Sequence, residues 1–311
     1  MTPLAPSACP PDALGDDDLQ LALYLCYELH YRSFRGVRDC EWDPRLLADR
    51  EVLESAFLEG LEDEYRVDSG GCDVAASIRA LVEDAGGPSL SSYLERHGTL
   101  EQMREFAVHR SAYQRKEADP HTWAIPRLEG EAKAALVRIQ ADEYGHGTRD
   151  AMHSELFAET MRALELDPAY GAYLDRLPGT TLATVNLISL FGLHRRWRGA
   201  LVGHLTVYEM TSVVPMRRYA DALARLEVSA SAQDFYRVHV VADTDHQDVA
   251  LHDLAGALAR SEPTLGDDIL FGVRAALGIE ARFAAHLLDA WADGNESFCS
   301  PAASQQVAAV V

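Results

Sequence analysis

FYRVHVVADTDHQDVA, residues 235–250, carries His239, Asp243 and His246 at positions i, i+4 and i+7. At about 100° per residue, a helix projects these three side chains within about 60° of one another. Such a stripe can chelate a metal ion, and it can also be the polar face of an ordinary helix. Asp245, Asp248 and His252 lie close by and show how readily polar residues imitate the pattern.

A second constellation lies upstream in IQADEYGHGTRDAMHSELF, residues 139–157. Glu143 and His153 fall about 80° apart in helical projection, so they can flank one metal, with His146 and Asp150 as competitors. Gly145 and Gly147 lie between them, and each costs a helix about 1 kcal/mol relative to alanine. That cost marks close packing, a locally opened helix or a plain break between two helices. Two more glutamates stand out. Glu209 sits among Leu205, Val207, Val213 and Val214, and a carboxylate buried there must be paired, protonated or metal-bound; the few cations nearby favour the last two. Glu117 stands beside Arg115 and Lys116 and, taken alone, reads as a surface residue.

Around these stretches nearly everything has helical period. Leu19, Leu23, Cys26, Tyr27 and Phe34 recur at helical spacing, RLLADREVLESAFLEGLEDEY continues the habit, and no segment alternates as a strand does. Breaks fall where Gly and Pro cluster, near residues 68–72, 85–89, 118–126, 167–168, 177–181 and 262–263. TLATVNLISLFGL, from Thr181, reads as core. Residues 1–16 are rich in Pro, Ala and Asp, and residues 295–311 are small and polar, so both ends read as flexible.

The net charge of −21 argues against nucleic acid, whose binding relies on clustered Lys and Arg. The five cysteines form no C-x-x-C pair and read as reduced thiols. Neither a leader-like N-terminus nor an apolar run of about 20 residues is present, so a cytoplasmic location without membrane attachment is expected. Arg195, Arg196 and Arg198 read as surface pairing partners for the many acids before they read as a substrate clamp. His109, His121, His194 and His204 read as structural or exposed, and Asp142 and Tyr144 as partners behind a metal ligand.

The order Glu117, Glu143 with His153, Glu209, and then the His239-x3-Asp243-x2-His246 helix resembles the haem-oxygenase-like diiron oxidases, a family of iron-containing redox enzymes. The resemblance spans residues 100–254 and rests on DEYGHG…MHSEL and the His-Asp-His helix as well as on the order. It implies an all-α fold, with a haem-oxygenase-like helical bundle over residues 99–294 and N-terminal auxiliary helices over 17–98 packed on it.

The resemblance further implies Glu143, His153, Glu209, His239, Asp243 and His246 as ligands to two Fe ions, bound as Fe(II) and oxidised by dioxygen, with no haem. Glu117 matches an extra carboxylate typical of the family's N-oxygenating branch. Two Fe(II) ions carry +4 and three carboxylates −3, so this fourth carboxylate brings the site to neutrality. The implied activity takes an amino or guanidine-type nitrogen of a small biosynthetic substrate to the hydroxylamine or nitro level, for example an aminoimidazole to a nitroimidazole. Its implied partners are dioxygen, an external electron donor and a second copy of the chain docked through the N-terminal helices. The rival on the same scaffold cleaves C–C bonds or desaturates an amino or fatty acid. A non-catalytic helical protein that stores iron is the rival from outside enzymology.

Overall fold

Short polar residues start the N-terminal helices. In the computed structural model, which describes residues 12–33, 40–68 and 70–299, Asp16 accepts from the Leu19 N–H to open α1 (Asp17–Glu28). Asp43 followed by Pro44 opens α2 (Pro44–Tyr65), Asp73 caps α3 (Val74–Glu83) and Ser89 caps α4 (Leu90–Arg96). Thr99 and Gln102 form a reciprocal capping box on α5 (Leu100–Gln114). Each cap satisfies an amide the helix leaves unpaired and contributes about 1 kcal/mol.

The chain continues through α6 (Asp119–Thr122), α7 (Gly130–Glu143), α8 (His153–Ala163), α9 (Gly179–Leu193), α10 (Arg198–Thr211), α11 (Val213–Arg225) and α12 (Asp234–Asp248). After α12 the helix widens to π geometry over Val249–Gly256, and α13 (Ala257–Ser261) and α14 (Gly266–Ala292) follow. The fold is all-α, with no strand among the described residues. No described helix is long and apolar enough to cross a membrane.

α9 is apolar on every face and is buried accordingly; α1, α5, α10 and α14 pack around it. This assembly forms the larger of two cores. The smaller core joins α4, α5, α8, α11, α12 and the end of α14 through residues such as Leu94, Phe106, Phe157, Tyr219 and Trp291. Among the N-terminal helices, α2 leans on α1 and α14, α3 on α14, and α4 on α11. α1 also reaches inward. Its Glu28 accepts from Lys116 Nζ with both side chains fully buried, and Tyr170 donates to the same carboxylate at 2.6 Å. The Lys116 ammonium lies over the rings of Tyr24 and Tyr31, 4.7 and 4.5 Å from their centroids.

α10 and α14 meet backbone to backbone. A Cβ on Gly272 would fall 2.0 Å from the Ala200 carbonyl oxygen, and one on Gly203 the same distance from that of Ile269. Gly272→Ala must push the two helices apart, so it should cost about 1–3 kcal/mol. Urea unfolding reads this directly, and an unchanged midpoint would mean that the crossing is free to widen.

The expected flexible ends need correcting where they are described. Ala13 and Leu14 are buried. Ser297 is buried too; its N–H donates to Glu105 at 2.6 Å, its hydroxyl bonds His109 at 2.9 Å, and Phe298 stacks on the His109 ring. Small polar composition suggested a loose tail, but Ser297 bonds Glu105 and His109, and Ala13, Leu14 and Phe298 pack with the larger core. Residues 1–11 and 300–311 lie outside the described residues.

Candidate metal centre

Four helices and one turn deliver the carboxylates and imidazoles. Glu117 follows the end of α5 in a turn closed by Ala118, whose φ of +75° is uncommon for a residue with a Cβ. Glu143 ends α7 and His153 begins α8, so the connection between them must reverse tightly. Gly145 makes that reversal: its φ is +56°, and a Cβ there would lie 2.5 Å from the Ala151 carbonyl carbon. The glycines therefore mark a break between helices. Glu209 comes from α10, and His239, Asp243 and His246 share one face of α12. All seven side chains are buried.

They gather into two groups that share Glu143. Glu117, Glu143, His153 and His239 place one donor atom each within 4.8 Å of one another, as do Glu143, Asp243 and His246. In the first group His153 Nδ1 lies 2.8 Å from Glu143 Oε2 and 3.1 Å from His239 Nε2, which is 3.6 Å from Glu117 Oε1. In the second, His246 Nδ1 lies 3.6 Å from Asp243 Oδ1. Glu209 stands at the edge of the second group, 3.2 Å from the same His246 nitrogen.

The outer bonds orient the rings. His239 Nδ1 faces the Phe235 carbonyl at 2.7 Å, which turns Nε2 toward the carboxylates. His246 Nε2 faces Asp142 at 2.7 Å, which leaves Nδ1 toward Asp243 and Glu209. The Ser212 hydroxyl donates to Asp243 Oδ2. An imidazole that donates its far N–H to a carboxylate is a more basic and better aimed ligand. Asp142→Asn should therefore weaken iron binding on the His246 side by about 10- to 100-fold. An iron titration that kept both affinities would show Asp142 to be a bystander.

Electrostatics point the same way. Glu117 Oε2, Glu143 Oε2 and Asp243 Oδ1 are buried without a hydrogen-bond partner; Glu143 Oε2 is close to His153 but out of line with it. Burial pushes the Glu143 and Glu209 carboxyls up to about 7 and about 8, and raises Glu117 as well. Burial opposes charge on His239 and His246, yet the adjacent carboxylates, Glu117 for the first and Asp243 with Glu209 for the second, hold these imidazoles up to about 10 and about 11. Burial and the neighbouring His239 drop His153 to about 3, a neutral ring.

Without a cation the cluster thus keeps protons that a metal must displace. Iron binding should release protons, and affinity should rise with pH through the range of Glu143 and Glu209, about 7 to about 8. Calorimetric titration in buffers of different ionisation enthalpy counts those protons; a proton-neutral binding event would contradict this electrostatic picture.

The donor set fits iron. It is entirely nitrogen and oxygen, with no thiolate, and carboxylates that lack partners suit a hard dication. The competing residues do not converge: His146, Asp150, Asp245, Asp248 and His252 are exposed. Tyr144 is a correction, because its hydroxyl bonds Asp119 and Thr122 and no ligand. His109 and His194 have structural partners, and His121 and His204 pair with each other at 3.2 Å. Arg198 pairs with Glu262, and Arg196 lies over Trp197. Ser212, which the sequence gave no reason to single out, sits one residue past α10 and reaches Asp243 only through the packing of α10 on α12.

A cavity of about 250 Å³ opens beside the cluster, where the two cores meet. Glu117, Glu143, Glu209, His239 and Asp243 form part of its wall, with Tyr113, Tyr219 and Tyr236 among the aromatics facing them.

Comparison with known proteins adds two findings. The family model described as iron-containing redox enzyme matches residues 104–281, which include all seven residues of the cluster. The chain is also 27% identical over 230 residues to the nitrosourea synthase of Streptomyces achromogenes subsp. streptozoticus. That match covers 71% of this chain and 47% of the relative, so the chain spans about half the length of the curated protein it matches.

Proposed function

We propose, because the chain belongs to the iron-containing redox enzyme family, that it is a diiron oxygenase which oxygenates a nitrogen of a small molecule. Its helical bundle is the haem-oxygenase-like one, and the chain is an oxidoreductase. The observation that carries the diiron reading is the pair of buried donor groups sharing one carboxylate, Glu143. On this reading Glu117, Glu143, His153 and His239 hold one iron, and Glu143, Asp243, His246 and Glu209 hold the other. No haem is required.

When bound, the two irons supply the redox chemistry that activates dioxygen. The protein's own residues do the rest. Phe235 and Asp142 aim the two imidazoles, and Ser212 holds Asp243 in register beside a cavity whose wall includes Tyr113, Tyr219 and Tyr236. In the overall reaction one oxygen atom enters an N–H bond and the other leaves as water, with two electrons and two protons from an external donor. Two facts support nitrogen as the target: Glu117 joins the cluster as a fourth carboxylate, and the relative is named for a nitrosourea product.

The test is incubation of the iron-loaded chain with isotopically labelled dioxygen, a chemical reductant and a panel of amines, guanidines and 2-aminoimidazole. Labelled oxygen on nitrogen in any product supports the reading. Labelled aldehyde, or an alkene formed without label, moves the chain to the cleaving or desaturating oxidases.

A further inference from the structure

A second cleft, of about 650 Å³, lies at the far end of two helices that supply the metal cluster. α7 begins there with Gly130 and ends on Glu143, and α10 begins there with Arg198 and carries Glu209 near its other end. At 1.5 Å per residue the cleft stands about 20 Å from the cluster along α7 and about 16 Å along α10. It shares no lining residue with the cavity beside the cluster.

Four arginines line the cleft: Arg127, Arg195, Arg198 and Arg260. Two of them are neutralised, Arg198 by Glu262 and Arg260 by Glu131 at 3.3 Å. The other two are not. Arg127 donates to the carbonyl oxygens of Gly192 and Leu193 at the end of α9, the second at 3.2 Å. Arg195 is exposed and has no carboxylate partner among the described residues. Glu129 also lines the cleft and forms an ion pair with neither. Burial first, and then the charge of Arg195, press the Arg127 guanidinium below its ordinary value, yet a guanidinium there stays protonated. The chain has 49 acidic residues to 28 basic ones, so a carboxylate between these two arginines would be easily supplied. Two like charges held close without one cost free energy that a bound anion returns.

The chemistry of the walls narrows the choice of anion. Arg127 spends two of its five N–H bonds on the α9 carbonyls, which fix the guanidinium in place and leave three donors free. Forked donors of this kind match the oxygens of a carboxylate or a phosphate. A carboxylate brings one charge, whereas a phosphate monoester brings about −1.5 to −2, the closer balance for two uncompensated guanidiniums. The start of α7, Gly130 to Ala132, lines the same cleft, and no side chain caps its amides. Glu129, Glu131 and Glu262 disfavour a larger polyanion but can accept from hydroxyl or amino groups. The volume exceeds what a phosphate alone fills and lies in the range of small-molecule sites.

We propose that Arg127 and Arg195 form a binding site for the phosphate group of a small molecule, separate from the metal cluster. Arg127 is the fixed half of the site and Arg195 the exposed half that closes on the ligand. Both phosphate esters and the free ion carry this chemistry, and the experiment distinguishes them.

The full chain, stripped of metal so that no iron competes for phosphate, is titrated by calorimetry with ribose 5-phosphate, adenosine monophosphate and inorganic phosphate. Ribose and adenosine serve as the matched compounds without the charged group. A phosphate compound should bind ~10-fold or more tightly than ribose or adenosine. An ester that outbinds inorganic phosphate identifies an ester as the ligand, and inorganic phosphate that binds as tightly as either ester identifies the free ion. Arg127→Gln and Arg195→Glu should each weaken that binding ~10-fold or more. Arg127 tethers the end of α9, so its variant can lose stability; Arg195 is exposed and unpaired, and its variant decides the matter on a folded chain. Phosphate compounds that bind no better than ribose and adenosine, or an affinity that Arg195→Glu leaves unchanged, would overturn the site. Neither outcome bears on the diiron reading.

Discussion

On the proposed two-iron reading, Glu143→Ala should strip iron from both halves of the centre and lower turnover by at least ~100-fold, whereas Glu117→Gln should affect one half. The asymmetry follows from position. Glu143 contributes an oxygen to both donor groups, and Glu117 to one. The variant also makes an opposite prediction for the metal-free chain. Burial already holds the Glu143 carboxyl up to about 7, so removing it relieves a desolvated, acid-crowded interior. Stability without metal should therefore hold or rise while iron binding collapses. Metal analysis together with thermal unfolding of both forms checks this. A variant that still binds two irons would show that Glu143 does not join the halves, and one that unfolds outright would contradict the predicted relief of the interior.

Lys116→Met has the largest expected effect on stability, a loss of about 3–5 kcal/mol, because it strands the Glu28 carboxylate in a fully buried site with the neutral hydroxyls of Tyr170 and Tyr24 as partners. Adding Glu28→Leu should return most of that loss, since the cost lies in the unpaired charge. A double-mutant cycle in urea measures the coupling. Single variants that lose less than about 1 kcal/mol would place the pair in contact with water. Lys116 immediately precedes Glu117, so the same pair joins α1 to the turn that carries Glu117, and α1 is more than a packing layer.

How much of this was legible in the sequence depends on whether a feature is local. The His239, Asp243 and His246 stripe lies on one helical face and is visible from spacing alone, and the Gly145 and Gly147 break announces a reversal. Glu117 is different. Next to Arg115 and Lys116 it reads as surface, but Lys116 points inward to α1 and the positive φ of Ala118 turns the chain there. Arg110 with Glu280, and Glu28 with Lys116, pair over 170 and 88 residues, and no spacing rule connects such partners. The π stretch at Val249–Gly256 keeps an ordinary helical look in sequence, because so short a run is too brief for a changed period to show. Ser297 shows the converse: a small polar residue with no sequence signal is fixed by His109 and Glu105.

The most direct test of a shared-carboxylate iron pair is anaerobic Fe(II) titration of the metal-stripped chain, followed by admission of dioxygen while its uptake is recorded. Saturation at two irons per chain, with dioxygen consumed only once both are bound, is the expected result. Saturation at one iron or none, or two bound irons that leave dioxygen untouched, would contradict it.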